Sequence, residues 1–359
     1  MPIWSSGALH ELGRGIRSGG RPSSNDVRQI ARHYWRDCQP LLDELFDEVG
    51  DAAEPLRDAL PAGGGHLRAM LPPLIALLDG TGDEGAVAAA AWAGLGCELV
   101  HVGTLVHDDI LDEAPSRRRT DALWSTAGVG MTVAVGDLAI ALGQHALSRS
   151  GLDSAGRGTL HAALAAAVAH LQAGQVEEIQ LRAGNQLPTR EWCHRTTRAK
   201  TGALLGCALG AGVMHCDGGS IPATVMEAGE ELGVCFQIVD DLRDAMSDAA
   251  SGAHGEDLWE GKPSWLVACA AESLPRDRCD SLATALYRRR DAKTSDDVAH
   301  AARLLDDGRA GEQTLDELSA SRHRLLAGVD HLPAAVASAI ALVLTTIDAR
   351  TPSPPIHLS

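Results

Sequence analysis

GAVAAAAWAGLGCELVHVGTLVHDDILD, residues 85–112, is an alanine-rich apolar run that closes on three aspartates. It lacks the alternation a strand requires, so residues 85–111 read as one long helix. A second run, residues 222–246, carries Asp240-Asp241-Leu242-Arg243-Asp244, repeating the spacing of Asp108-Asp109-Ile110-Leu111-Asp112. On a helix, residues i and i+4 share a face, so Asp108 projects with Asp112 and Asp240 with Asp244. Carboxylates crowded this closely repel one another unless a cation sits between them. An oxygen donor set without cysteine or a dedicated histidine set favours Mg²⁺. Mg²⁺ keeps several waters and completes its shell with substrate phosphates, so two such claws imply a diphosphate held between them.

Basic residues follow each cluster. Arg117, Arg118 and Arg119 come after Pro115, expected to break the helix, and guanidinium forks suit bidentate phosphate recognition. Beyond the second cluster, glycines flank the acidic stretch Gly255-Glu256-Asp257-Leu258-Trp259-Glu260-Gly261-Lys262, and Lys262 can reach a phosphate as a point charge.

His107 to Asp112 with Arg117-Arg118, Phe236-Gln237-Ile238-Val239-Asp240-Asp241, and Asp257 to Lys262 resemble the trans-polyprenyl diphosphate synthases, the polyprenyl synthetase family. The resemblance runs in the family's order from Gly63-Gly64 through Glu98, Gly136-Asp137, Gly174-Gln175 and Lys200-Thr201 to Trp265. It implies an all-α, isoprenoid-synthase-type helical bundle with both acidic motifs at the mouth of a deep apolar cavity. It also implies prenyltransferase chemistry, in which an allylic prenyl diphosphate ionises and is attacked by isopentenyl diphosphate to give a longer trans-prenyl diphosphate. Three Mg²⁺ ions are expected, two on Asp108 and Asp112 and the third on Asp240, with Asp244 in the same ligand cluster. Arg117, Lys200 and Lys262 would contact the allylic diphosphate, while Arg68, His101 and Arg118 would hold isopentenyl diphosphate. Gln237 and Thr201 match positions that orient the site or stabilise the cation. A homodimer belongs to the same expectation.

Two departures bear on substrate binding. The family's first basic motif, Gly-Gly-Lys-x-x-Arg, reads Gly63-Gly64-Gly65-His66-Leu67-Arg68 here, and a second family lysine falls on Ala253. Each loss removes a charge-assisted hydrogen bond, a contribution of roughly 1.5 to 3 kcal/mol. His66 and His254 lie next to the vacancies and are candidate replacement donors; Arg119 stands where a glycine is usual and restores a charge locally.

Hydrophobic residues make up 45% of the 359, enough for a large core, and the net charge of −17 argues against nucleic acid or an anionic membrane as partner. The expected organisation is a flexible tail over 1–25, one helical domain over 26–350 and a second tail over 351–359. Further helices are expected over 128–149, 157–182, 192–214 and 332–349, too interrupted by charge to span a membrane. The charged stretch Arg288 to Arg324 reads as exposed helices and turns. Eight cysteines without a C-x-x-C pair point to reduced thiols and a cytoplasmic location.

Chain length is expected to follow from the helix entering the first cluster. With Gly103 and Thr104 in place of a bulky aromatic, the cavity floor is open down to Trp92, roughly 24 Å below Asp108 at 1.5 Å per residue. Products of C20 or longer follow. Two other function classes remain: a terpene-synthase-like enzyme that ionises a prenyl diphosphate without isopentenyl diphosphate, and a non-catalytic subunit of a hetero-oligomeric synthase.

Overall fold

A computed structural model of the chain describes residues 7–20, 22–60, 65–80, 84–117, 120–217, 220–247, 255–354, 356 and 358. Its helices are α1 (Gly7–Arg17), α2 (Ser24–Asp37), α3 (Gln39–Asp47), α4 (Glu54–Ala59), α5 (Leu67–Asp79), α6 (Glu84–Leu111), α7 (Leu123–Ala127), α8 (Val129–Leu147) and α9 (Ser154–Ala183). They continue as α10 (Arg190–Thr197), α11 (Ala203–Asp217), α12 (Ala223–Ser247), α13 (Glu256–Glu260), α14 (Trp265–Ser273), α15 (Arg276–Leu286), α16 (Ser295–Asp307), α17 (Ala310–Val329) and α18 (Ala334–Arg350). The all-α expectation holds. The one sheet among the described residues is a two-residue hairpin, β1 (Ser116–Arg117) with β2 (Thr120–Asp121).

The helices gather into two compact units. The first comprises Met1–Val168, Leu204–Gly229 and Val329–Thr346; the second comprises Ala169–Ala203, Glu230–Gly328 and Ile347–Ser359.

In the first unit α6 is pressed between α5 and α8, and glycine makes the approach possible. A Cβ on Gly94 would lie 2.1 Å from the Ala69 carbonyl oxygen of α5. On the α8 side, a Cβ on Gly96 would lie 2.7 Å from the Gly143 oxygen, and one on Gly103 would lie 2.6 Å from the Gly136 oxygen. Removing the side chain lets the backbones close, and α6 is buried from Ala90 to Val100 except at Trp92. By length and composition α6 and α8 could each cross a membrane, against expectation, although α6 is mostly buried within the protein.

In the second unit the run expected as one helix over 192–214 is broken by a π-helical turn, Arg198–Gly202, between α10 and α11. A Cβ on Gly202 would lie 2.4 Å from the Glu230 oxygen, and one on Gly233 would lie 2.4 Å from the Gly202 Cα, so this turn lies directly on α12. Gln237 and Asp241 follow one and two turns further along α12.

Both expected tails are structured where described. Residues 1–6 lie outside the described residues, but Gly7–Arg17 is helical with Leu9 and Leu12 buried, and Ser23 caps α2 in a reciprocal box with Asp26. Near the C-terminus, Ile356 and Leu358 are buried, and the Leu358 amide donates to Asp306 at 2.8 Å. Within Arg288–Arg324, Arg288 pairs with Asp297 at 3.0 Å and Arg289 with Asp291 at 3.0 Å on the surface, whereas Arg290 turns toward Glu260.

Candidate active site

The first acidic cluster ends α6. The Asp112 amide donates to the Asp108 carbonyl at 2.9 Å, so helical geometry persists through the cluster and the i, i+4 pair shares a face. Asp109 and Asp112 are buried and Asp108 is half-buried. Glu113 then adopts a left-handed conformation, φ 51°, so the helix stops before Pro115 rather than at it. Gly136 leaves room for His107, whose Nε2 lies 3.2 Å from the Val133 oxygen and 3.6 Å from Asp137. Arg117 lies on β1. Its side chain, and the whole of Arg118 and Arg119, are outside the described residues.

About three helical turns deeper on this face is a buried polar knot. The Glu98 carboxylate lies 3.1 Å from His66 Nδ1 and accepts from the Ala69 amide at 3.3 Å, while the His66 ring stacks on Trp35 at 4.2 Å and 3°. Burial alone would raise the Glu98 pKa. The His66 hydrogen bond and the charges of His101 and Arg68 outweigh it and hold the carboxyl at about 2. Arg68 Nε is buried without a hydrogen-bond partner. His66, a candidate for the charge lost at Gly65, therefore spends its Nδ1 on Glu98 and its face on Trp35, whereas Gly65 itself is exposed. The corresponding question for Ala253 and His254, like Gly63-Gly64, falls outside the described residues.

The cavity-floor reading of Gly103 and Trp92 is corrected. Each helical residue advances by about 100°, so Gly103 is turned about 140° from Asp108 and Trp92 about 160°. Gly103 faces the Gly136 backbone, with Ile140 Cγ1 2.8 Å from where a Cβ would stand, and Trp92 lies beneath the Arg149 guanidinium at 5.0 Å. Thr104 is buried, its hydroxyl donating to the His101 carbonyl at 2.8 Å. The stripe continuous with Asp108 runs instead through Leu105, His101, Glu98 and Gly94, and meets α5 at Ala69.

In the second unit, hydrogen bonds tie the second acidic cluster to the π turn. Thr201 Oγ1 donates to Gln237 Oε1 at 3.0 Å, Gln237 Nε2 donates to Asp241 Oδ1 at 2.8 Å, and the Trp265 amide donates to Asp241 Oδ2 at 2.9 Å. Lys200, beside Thr201, pairs with Glu178 at 2.5 Å, and its stem occupies the space that a Cβ on Gly174 would take, 2.8 Å from Lys200 Cγ. Asp244 Oδ2 accepts from the Asp257 amide at 3.0 Å, and Lys262 pairs with Asp257 at 3.0 Å and Glu260 at 2.5 Å. Burial, with the Asp257 charge second, pushes Asp241 up to about 8 and Asp244 up to about 7. Asp240 is half exposed, and its Oδ1 accepts from Arg350 at 2.7 Å.

Three groups were missed by sequence reasoning: Glu178, Arg350 and Lys293. Lys293 is buried and donates to the carbonyls of Leu258 at 2.7 Å, Trp259 at 2.9 Å and Leu286 at 2.7 Å, which fixes the segment presenting Asp257 and Lys262. Glu178 and Arg350 come from helices that carry no acidic motif, so no local pattern marks them.

The donor chemistry fits Mg²⁺. Among the described residues no three potential ligands gather in one place, and the aspartates of the two motifs supply carboxylate oxygens of the kind a hard cation takes. That is the set expected of an ion held by one or two carboxylates with phosphate and water. A cluster in which burial and neighbouring charge make two carboxyls harder to ionise is one that a cation would stabilise.

The polyprenyl synthetase family model matches residues 51–305. Geranylgeranyl diphosphate synthase of Mycobacterium tuberculosis is 32% identical over 342 residues, 88% of this chain and 91% of that protein. A polyprenyl synthetase from Streptomyces coelicolor superposes with TM-score 0.76 at 24% identity, over 91% of this chain and 99% of that one. Geranylgeranyl pyrophosphate synthase from Corynebacterium glutamicum, solved with isoprenyl diphosphate and magnesium, gives TM-score 0.71 at 22% identity, over 89% and 98%. This chain therefore belongs to the polyprenyl synthetase family, with the fold of the isoprenoid synthases and the prenyltransferase chemistry that membership carries.

Proposed function

We propose that this enzyme condenses an allylic prenyl diphosphate with isopentenyl diphosphate and releases a product of C20 or longer. The observation that carries the reading is the chain Thr201–Gln237–Asp241–Trp265, because it fixes the Lys200 turn and the second acidic cluster in one hydrogen-bonded frame. Asp108, Asp112, Asp240 and Asp244 are the oxygen donors for three Mg²⁺ ions, which when bound would draw charge from the leaving diphosphate. Lys200 and Lys262 would exchange their carboxylate partners for phosphate oxygens. Gln237 and Thr201 would hold their oxygens in place as the allylic cation forms. Arg68, with its unsatisfied Nε, and His101 on the Asp108 face would donate to isopentenyl diphosphate. The chain-length assignment rests on the absence of an aromatic at Thr104 and on the relative named for geranylgeranyl diphosphate. Exposed Val129, Met131 and Val133 on α8 support a homodimer, and eight free cysteines a reducing, cytoplasmic setting.

A second reading, ionisation without isopentenyl diphosphate, is favoured by the state of Gly65 and His66. His66 is held by Glu98 and Trp35 and does not supply the charge of the lost lysine, which weakens the grip on the second substrate. Purified protein incubated with Mg²⁺ and C5 to C20 diphosphates, with and without isopentenyl diphosphate, separates the two. Elongated products only when both substrates are present support condensation; pyrophosphate release from the allylic substrate alone supports the second reading. No turnover in any mixture would leave a non-catalytic subunit.

A further inference from the structure

We propose that Arg350 is a place-holding counterion of the second acidic cluster, occupying Asp240 in the metal-free protein and yielding that oxygen more readily when a divalent cation and a diphosphate arrive together than to the cation alone. The proposal rests on the reading of Asp240 as a metal ligand.

The guanidinium is set from several directions. It donates to Asp240 Oδ1 at 2.7 Å and lies over the Phe236 ring, one turn before Asp240, at 5.2 Å. Arg350 is the last residue of α18, and that end is anchored. Arg322 bonds both oxygens of Asp348, the Thr351 hydroxyl donates to the Ile347 carbonyl at 2.9 Å, and the segment beyond docks through Ile356 and Leu358. The neighbouring carboxylates are engaged elsewhere, Asp241 with Gln237 and the Trp265 amide, Asp244 with the Asp257 amide. Arg350 therefore selects the aspartate with the most exposed carboxylate of the three.

A single positive charge on that oxygen competes directly with a dication. Metal alone must displace it without compensation. Metal arriving with a diphosphate gives the displaced fork new anionic oxygens, for which its planar donors are suited. Arg350 would thus disfavour metal without substrate and favour the two together, coupling the binding events through one side chain.

Mn²⁺ is the probe, titrated by electron paramagnetic resonance against the full chain with no substrate, and inorganic pyrophosphate is titrated by calorimetry at saturating Mn²⁺. In Arg350→Gln, Mn²⁺ alone should bind about 2- to 5-fold tighter and pyrophosphate about 2- to 5-fold weaker, the range of a partly exposed charge contact. Arg350→Lys, which keeps the charge without the fork, should retain most of the suppression and lose most of the pyrophosphate gain. Thr351→Ala controls for loosening of the α18 end and should match wild type. Arg350→Gln matching wild type in both titrations, or Thr351→Ala reproducing its effects, overturns the proposal. Asp240→Asn tests the underlying reading separately: Mn²⁺ binding undiminished in that variant would remove Asp240 as a ligand.

Discussion

Replacing Gly103 by alanine adds one methyl group where the structure has no room for it. The new Cβ would stand 2.6 Å from the Gly136 carbonyl oxygen, 2.8 Å from Ile140 Cγ1 and 3.2 Å from Ala139 Cβ. The first of these is backbone, so relief requires α6 and α8 to separate. Overpacking of this kind costs about 1–3 kcal/mol, against which alanine returns at most about 1 kcal/mol of helix propensity. A net loss of about 1–2 kcal/mol is expected, and at about 2–4 °C per kcal/mol for a unit of this size the midpoint should fall by roughly 2–8 °C. Gly130, also helical but with nothing within 4 Å of its added Cβ, supplies the comparison. Gly130→Ala should leave stability unchanged or raise it by up to about 1 kcal/mol. Urea titrations of both variants, followed by circular dichroism, decide the matter. Gly103→Ala as stable as Gly130→Ala would show that α6 and α8 are not in backbone contact there, and would return Gly103 to the cavity wall. A phenylalanine at the same position is expected to prevent folding rather than to shorten the product.

Asp108→Asn and Asp240→Asn should each lower kcat by roughly 10²–10³ with little change in stability, read as product formed per minute at saturating Mg²⁺; full activity in EDTA would refute the metal assignment. Glu98→Gln should cost on the order of 3 kcal/mol at neutral pH. Because the Glu98 pKa is depressed from 4.5 to about 2, that difference is present above pH 4.5 and lost as the pH falls through about 2. Urea midpoints at pH 7 and pH 3 test it, and a difference that does not shrink counts against the knot. Lys293→Met leaves three carbonyls without their donor and should destabilise by at least about 2 kcal/mol at pH 7. Burial lowers the Lys293 pKa from 10.5 to about 8, so the native form releases its proton first and wild type gains on the variant as pH rises between those values. A gap that narrows over that range would contradict the burial.

Helix runs were readable because apolar residues recur over many turns. The boundaries read for 85–111 and 222–246 fall within a residue of α6 and α12. The π turn at Arg198–Gly202 left no trace, since one inserted residue does not disturb apolar periodicity enough to be seen over five residues. Residues 1–25 were read by composition, in which Ser and Gly outweigh Leu9 and Leu12. The C-terminal prolines likewise masked Ile356 and Leu358, whose two buried side chains are too few to form a pattern. The site was legible where chemistry repeats, as in the two aspartate clusters. It was not legible where a single residue on a distant helix completes it, as Glu178 does for Lys200 and Arg350 for Asp240. Gly103 was misread because its spacing from Asp108 was counted in turns and not in degrees. Gly96 and Gly103, seven apart, have counterparts seven apart in Gly136 and Gly143, and that matched interval marks a seam between two helices.

The seam also limits how this enzyme's descendants can diverge. Product length is a trait that single substitutions could alter in a lineage, but at Gly96, Gly103 and Gly143 an added Cβ meets backbone of the facing helix, so every substitution there carries a stability cost that large side chains make prohibitive. A combinatorial library that randomised Gly96, Gly103 and Gly143 together would be dominated by chains that never fold. Leu105, half-buried on the stripe that carries Asp108, is a position at which exchange is expected to leave the helix spacing untouched, so drift there can be tolerated long enough to be useful.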